Sequence, residues 1–508
     1  MPKRTAIIDI GSNSARLVIF EKTSDYGFHL ICEQKSKVRI GEGAYQKGGY
    51  LQPIGIKRAF LALEAFVQSI QKYQTTNIIC VATSALRDAP NGDIFVRWIE
   101  QKLKLNIKII DGKKEARYGA IATSNLLPID SGITIDIGGG SSDMTLILDG
   151  KIVDSYSLNL GTVRLKELFF DNSSYGTNVI KRAREYIQEE LSQLPVQFRH
   201  HLAIGIGGTA RTLSKAIMKN SKYPLDKLHA FTYNIDEHRE YLEAIAQSSA
   251  KNLKQFNLKK NRYDTIREGT LIFNEILSTI EAKEVISSIV GVREGLFLEQ
   301  LLKDDNLKFP KNINPSITSI RDRFKPFINI EKKRKSKIKL ASELYSVLQI
   351  NINDNKIYQN ELNSALQLSN IGKTLTVTKS HQHAFYIAQQ ELNYGYTHKE
   401  ILLISILLRM YSKDLLSRSL YQEYKSLLPP KENLQWLNFI YSLVVILHKA
   451  SNRAEISFTY QNRTLKIISN RSLYIAKEKI KTLEKPIPFA IIIEDKCNIP
   501  INDELGIN

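Results

Sequence analysis

The chain writes Ile-Asp-Ile-Gly twice, and both copies sit in the same local pattern. Ile8-Asp9-Ile10-Gly11 runs through Ser12-Asn13-Ser14 into the apolar stretch Leu17-Val18-Ile19-Phe20. Ile135-Asp136-Ile137-Gly138 runs through Gly139-Gly140-Ser141-Ser142 into Met144–Leu148. Each copy reads as a buried strand, a tight polar turn and a second strand. β-Branched residues supply the strands, and glycine lets the backbone close around a ligand. Such turns aim several backbone N–H groups and hydroxyls at one spot, which suits a phosphate. The aspartate ahead of each turn can hold a divalent cation or orient a water. One such turn would be weak evidence. Two with an acid at the same offset predict two related lobes gripping one phosphorylated substrate from opposite sides.

A third glycine turn follows the same logic. Ala203-Ile204-Gly205-Ile206-Gly207-Gly208-Thr209 leads into an expected helix from Ala210 to Met218. Together these turns resemble the phosphate loops of the actin-like ATPase, sugar kinase and heat-shock-70 superfamily. More narrowly, the chain is similar to the exopolyphosphatase/guanosine pentaphosphate phosphatase family, Ppx/GppA. The residues that carry the resemblance run in the family's order over roughly the first three hundred positions. They are Asp9–Ser14, Ala82–Arg87, Lys114–Arg117, Asp136–Asp143, Gly205–Thr209 and Gly291–Gly295. The implied fold is α/β, with two actin-like (ribonuclease H-like) lobes, a cleft between them and a mostly helical HD-like C-terminal domain.

The net charge of +19 points to a polyanionic partner or substrate. Basic and aromatic residues are not interleaved as in single-strand or RRM-type binders, which argues against nucleic acid as the principal partner. Cys32, Cys80 and Cys497 are too few and too scattered for a disulfide framework or a CxxC metal site. No apolar run reaches ~18 residues, so no membrane span is expected. Met1-Pro2-Lys3-Arg4 leads straight into the first strand, and a cytoplasmic protein without a signal peptide is the expectation. A homodimer is kept open.

The first lobe is expected over residues 1–125. Its helix from Gly55 to Tyr73 carries Phe60, Leu63, Phe66, Val67 and Ile70 as one buried stripe. Strands are expected over Asn77–Ala82 and Asn106–Ile110, then a helix from Lys113 after the Asp111-Gly112 turn. The second lobe is expected over 126–305, and its last helix, Glu294–Leu302, is the candidate to cross back onto the first. Residues 306–508 form the linker and C-terminal domain. Pro310, Pro315 and Pro326 punctuate the linker, and Lys332-Lys333-Arg334-Lys335-Ser336-Lys337 is a basic run. It reads as a solvated helix face or as a strip that guides a polyanion. Leu368-Ser369-Asn370-Ile371-Gly372-Lys373 resembles the HD hallmark with Ser-Asn in place of His-Asp, and His381 and His383 follow. That substitution removes two metal ligands, so an HD-like fold without its metal is expected. Glu455–Ile468 reads as a terminal hairpin.

The resemblance makes Glu115 the expected general base, activating water against a terminal phosphoryl group. On residues alone, a Glu in a first helical turn more often complements the helix dipole. Asp9, Asp136 and Asp143 form the expected metal set for Mg²⁺, with Mn²⁺ as the substitute. The family commonly has Glu at the position of Asp143, so Asp143 can act through a water. Ser12, Asn13, Ser14, Gly139, Gly140, Ser141 and Ser142 are expected to cradle phosphates. Arg87 closes Thr83-Ser-Ala-Leu-Arg87 and suits the role by its fork of donors. Thr162 and Gly208 complete the phosphate set. The implied reaction is hydrolysis of inorganic polyphosphate, or alternatively of the guanosine pentaphosphate pppGpp. No adenosine pocket and no Gly-x4-Gly-Lys-Ser/Thr loop are evident.

Overall fold

The computed structural model describes residues 3–44, 47–170, 176–325, 331–352, 356–410, 417–450 and 454–495. They form two compact units, Met1–Ser319 with Asn393–Thr397, and Ile320–Leu392 with His398–Asn508.

The first unit builds one plan twice. β1 (Lys3–Ile10), β2 (Ala15–Lys22) and β3 (Phe28–Ser36) form an antiparallel meander. β4 (Asn77–Ala82) then joins β1 in parallel and β5 (Lys108–Ile109) joins β4, giving the order β3-β2-β1-β4-β5. β6 (Gly132–Ile137), β7 (Ser142–Leu148) and β8 (Lys151–Leu158) repeat the meander, and β9 (Leu202–Ile206) joins β6 in parallel. β10 (Thr232–Asn234) is an antiparallel edge on β11 (Glu284–Ser287), which pairs with β9.

The duplicated sequence makes duplicated turns. Ile10 pairs with Ala15 and Ile137 with Ser142, leaving four residues in each turn. The Gly11 N–H donates to the Ser14 carbonyl at 3.1 Å, and the Gly138 N–H to the Ser141 carbonyl at 2.8 Å. The strands before the turns are apolar without alternation because both their faces are covered. Ile8 and Ile10 pack with Leu63 and Phe66, whereas Ile7 packs on the opposite side with Val81 and Phe297.

Helix Pro53–Lys72 starts two residues before the expected Gly55, with proline in its first turn, where the missing N–H is harmless. Its buried stripe is Ala59, Ala62, Leu63, Phe66 and Ile70, while Phe60 and Val67 are only half-buried. The strand expected at Asn106–Ile110 is reduced to the two residues of β5. Helix Val292–Leu301 lies on the first sheet, with the Phe297 ring 4.6 Å from that of Phe20 and 5.0 Å from that of Phe28. The unit also extends past residue 305. Phe309 and Tyr394 pack into the same cluster, and Tyr394 stacks on Phe28 at 5.7 Å.

Helix Gly112–Leu126 packs on β7, β8 and helix Val292–Leu301. At the helix crossing, a Cβ on Gly295 would stand 2.0 Å from the Tyr118 carbonyl oxygen. Gly295→Ala is therefore expected to force the two helices apart. Overpacking of this kind costs about 1–3 kcal/mol. Urea unfolding checks it, and an unchanged midpoint would contradict so close a crossing.

The second unit is mostly helical. Its helices include Glu331–Leu348, Gln359–Leu368, Ser380–Glu391, His398–Arg409 and the 20-residue Lys431–Ala450. β12 (Ile456–Gln461) and β13 (Thr464–Ser469) form the expected hairpin. A third strand, β14 (Ala490–Asp495), pairs in parallel with β13, and the sequence reading did not anticipate it. The Ser369 hydroxyl accepts from the Lys337 ammonium at 2.8 Å. Pro326, Cys497 and the side chains of Lys332, Lys333 and Arg334 lie outside the described residues. Among the described residues, no helix is long and apolar enough to cross a membrane.

Candidate active site

The two duplicated turns open onto one pocket of about 150 Å³. Asp9 reaches it from the end of β1, Asp136 from the end of β6, and Asp143 from β7. Glu115 reaches it from the first turn of helix Gly112–Leu126. That helix starts where it does because the Asp111 carboxylate caps it, accepting from the Lys114 N–H at 2.8 Å. Ser12, Asn13, Ser14, Gly139, Ser141, Thr162 and Gly208 line the same pocket.

Three of the residues expected at the phosphate are placed differently. Ser142 is fully buried, and its hydroxyl donates to the Leu160 carbonyl at 2.5 Å, so the side chain is not available to the pocket. Gly140 does not line the pocket, and its carbonyl accepts from Arg164 Nε at 2.9 Å. Arg87 lies behind Glu115. Its Nη1 stands 3.6 Å from Glu115 Oε2 and donates to the Ile110 carbonyl at 3.3 Å. Ser142 fails for a periodic reason. It is the first residue of β7, and alternation along a strand turns its side chain to the face opposite Asp143.

The acids share an unfavourable environment for charge. Burial, and then the negative charges of Asp143, Asp9 and Asp136, hold the Glu115 carboxyl well above the usual range, with Arg87 opposing. The Glu115 side chain is 15% exposed, yet its Oε2 has no hydrogen-bond partner. Burial pushes Asp143 up to about 7, although Ser157 donates to its Oδ1 at 2.5 Å. Asp9 and Asp136 are also raised, chiefly by burial. Several carboxylates facing one pocket are of the residue type that can hold a divalent cation. Among the described residues, no group of three or more His, Cys, Asp or Glu side chains converges as a metal cage. An ion held here would take one or two carboxylates and complete its shell with water and phosphate oxygens, as Mg²⁺ can.

The sequence reading missed the cations on the other side of the pocket. Arg16, Lys35, Arg211, Arg262 and Arg293 line it as well. Arg293 lies within the Gly291–Gly295 segment and Arg211 follows the third glycine turn, so both carried a positional signal. Lys35 and Arg262 carried none, because only the tertiary fold brings them in. Burial, followed by the charges of Arg16, Arg262, Arg211 and Arg293, pushes the Lys35 ammonium down to about 8. Burial likewise brings Arg211 down to about 10. Cations crowded on one side of the pocket, with Glu33 shared between Arg16 and Arg293, suit an anionic ligand.

Comparison with known proteins agrees with this architecture. The profile of the Ppx/GppA phosphatase family matches residues 18–304. A bifunctional 3-dehydroquinate synthase/phosphatase of Fusobacterium nucleatum is 33% identical over 310 residues, covering 58% of this chain and 46% of that relative's length. A guanosine-5'-triphosphate,3'-diphosphate pyrophosphatase of Pseudoalteromonas translucida is 27% identical over 426 residues, covering 81% of each chain. The crystal structure of the Aquifex aeolicus Ppx/GppA family member superposes with a TM-score of 0.51 at 27% identity, covering 60% of this chain and 99% of that one. An exopolyphosphatase from Cytophaga hutchinsonii shares the fold, with a TM-score of 0.55 at 20% identity over 60% of this chain and all of that one. With the duplicated glycine turns, the acid-lined pocket and a profile match across more than half its length, the chain belongs to the Ppx/GppA phosphatase family.

Proposed function

We propose that the protein is an exopolyphosphatase, hydrolysing terminal phosphoanhydride bonds of inorganic polyphosphate to orthophosphate in a cleft between the two lobes. The observation that carries this reading is Glu115, which lines the same pocket as both glycine turns and whose buried Oε2 has no hydrogen-bond partner. In the proposed reaction, backbone N–H groups of the turns and the hydroxyls of Ser12, Ser14, Ser141 and Thr162 hold the terminal phosphoryl group. Glu115 takes a proton from water as the water oxygen bonds to phosphorus, and the shortened chain leaves with the electrons of the broken P–O bond. A carboxylate with a raised pKa is a stronger base than an ordinary glutamate, which suits this step. Arg87, 3.6 Å behind, opposes the rise. Asp9 and Asp136 would hold Mg²⁺, with Asp143 acting through a water. When bound, the ion supplies neutralisation of charge on the phosphate oxygens.

A second reading, hydrolysis of pppGpp to ppGpp, is favoured by one feature. The recess beside the pocket pairs its cations with an apolar wall that includes Val18, Leu30, Leu228 and Ile289. A nucleoside could use such a wall, and an inorganic chain could not. The deciding experiment compares phosphate release from long-chain polyphosphate, pppGpp and ATP with one purified sample. Release from polyphosphate at the highest kcat/KM is expected. Turnover of ATP alone would sink both readings.

For the second unit we propose an HD-like fold that has lost its metal chemistry. Ser369 and Asn370 replace the metal-binding pair, and a lysine ammonium rather than a metal ligand engages Ser369. Full-length protein carrying Glu115→Gln is expected to show no cyclic-nucleotide or pppGpp hydrolysis with added Fe, Mn or Zn. Stoichiometric metal together with turnover in that variant would overturn the proposal.

A further inference from the structure

The pocket continues into a second, larger recess of about 480 Å³. Helix Gly207–Asn220 forms one side of it. The helix begins at the third glycine turn, inside the catalytic pocket, and points Arg211, Lys215 and Lys219 into the recess. Spaced by four, they occupy one helical face, each about 6 Å further along the axis than the last. Arg211 lines both cavities, whereas Lys215 and Lys219 line only the outer one. Lys35, Lys259 and Arg262 face the same space.

The recess has almost no negative charge left to offer these groups. Its acids are Glu33 and Glu294. Glu33 is already paired with Arg293 at 3.3 Å and Arg16 at 3.6 Å, and the Glu294 carboxylate accepts from the Gly291 N–H at 2.8 Å. Lys215 and Lys219 are exposed, and no carboxylate pairs with either among the described residues. Arg262 Nε is buried without a hydrogen-bond partner. Lysines on a helix commonly only solvate it. Here they prolong, in one line, a row of cations that starts at Arg211 in the pocket of the glycine turns.

We propose that the Arg211-Lys215-Lys219 ladder is a distal phosphate subsite, holding phosphates of the substrate beyond the bond that is cut. The inference rests on the phosphohydrolase reading of the neighbouring pocket. Its ligand is a phosphate cluster covalently joined to the terminal phosphoryl group. That cluster is either the continuing chain of a polyphosphate or the second phosphate group of a doubly phosphorylated nucleotide. The ladder puts this track on the two-lobed unit, not on the basic run that begins at Lys332.

The test is binding, so it does not depend on the catalytic assignment. Displacement of a labelled long-chain polyphosphate is measured across a KCl series in EDTA, using full-length protein with Lys215→Ala and Lys219→Ala together. The control carries Lys102→Ala and Lys108→Ala, two exposed lysines away from both cavities. Each lost phosphate contact should flatten the plot of log affinity against log salt by about 0.7, so the ladder variant should lose about 1.4. At moderate salt it should bind roughly tenfold more weakly, and the control should match wild type. The same measurement with pppGpp identifies the source, since a loss confined to one ligand names the one that uses the ladder. Unchanged slopes for both ligands, or an equal loss in the control, would overturn the proposal. A protein that binds through the ladder yet releases no phosphate would instead sink the catalytic reading and leave the subsite standing.

Discussion

Glu115→Gln should abolish most phosphate release while leaving substrate binding in place. The amide keeps the size of the carboxylate and removes the base. General-base catalysis contributes about 10²–10⁴-fold, and kcat should fall by that factor with KM little changed. The same substitution should stabilise the metal-free protein at pH 8. The folded-state pKa of Glu115 is raised, first by burial and then by three neighbouring aspartates. A carboxylic acid with a raised folded pKa binds its proton more tightly in the native state than in the unfolded chain. Stability is therefore lost as pH rises from the unfolded value through the folded one. The amide carries no charge and escapes that loss, so its Tm should exceed wild type at pH 8 and approach it near pH 4. A variant within a few-fold of wild-type kcat would exclude Glu115 as the base. A variant with lowered activity and a lowered Tm at pH 8 would make it a structural residue instead.

Much of this site was legible in the sequence, for identifiable reasons. The phosphate turns are local, since a four-residue loop between paired strands is written in consecutive letters. Asp9 and Asp136 come with them at a fixed offset. Glu115 was legible only through the resemblance, because nothing local distinguishes it from any acid in a first helical turn. Its placement depends on helix Gly112–Leu126 packing on the second sheet, with Gly112 tucked against Ser157. A Cβ there would meet the Ser157 hydroxyl at 2.2 Å. The serine at 142 was misassigned because loop composition hides where a turn ends and strand alternation begins. Arg16, Lys35 and Arg262 were missed because their convergence is tertiary, joining β2, β3 and the stretch after Lys260. The cation ladder could have been read from the four-residue spacing alone, but without a cavity beside it that spacing describes any solvated helix. In the second unit the hairpin was legible from its alternation around Asn462-Arg463. β14 was not, since its pairing with β13 is parallel and spans an intervening helix, Tyr474–Ile480.

Excess EDTA should stop phosphate release, and Mg²⁺ or Mn²⁺ should restore it. The pocket carries Asp9, Asp136, Asp143 and Glu115 in a setting that disfavours their charges, and a phosphate chain brings more negative charge still. Without a cation, substrate and acids would repel one another at the moment of attack. The acids should not contribute equally. Asp136 stands one residue before the end of β6, beside the second turn, and a Cβ on Gly207 would stand 2.0 Å from its Oδ1, so the third turn closes directly over this carboxylate. Asp143 is already engaged by the Ser157 hydroxyl at 2.5 Å and faces the Ser141 hydroxyl at 3.4 Å, which leaves it fewer free lone pairs for an ion. Asp136→Asn is therefore expected to raise the Mg²⁺ concentration needed for half-maximal activity more than Asp143→Asn does. Isothermal titration of Mg²⁺ in the presence of a slowly hydrolysed phosphate analogue should rank the two variants in the same order without reference to turnover. Undiminished release in EDTA would rule out a metal-assisted reaction, and a larger loss for Asp143→Asn in both measurements would exchange the two roles.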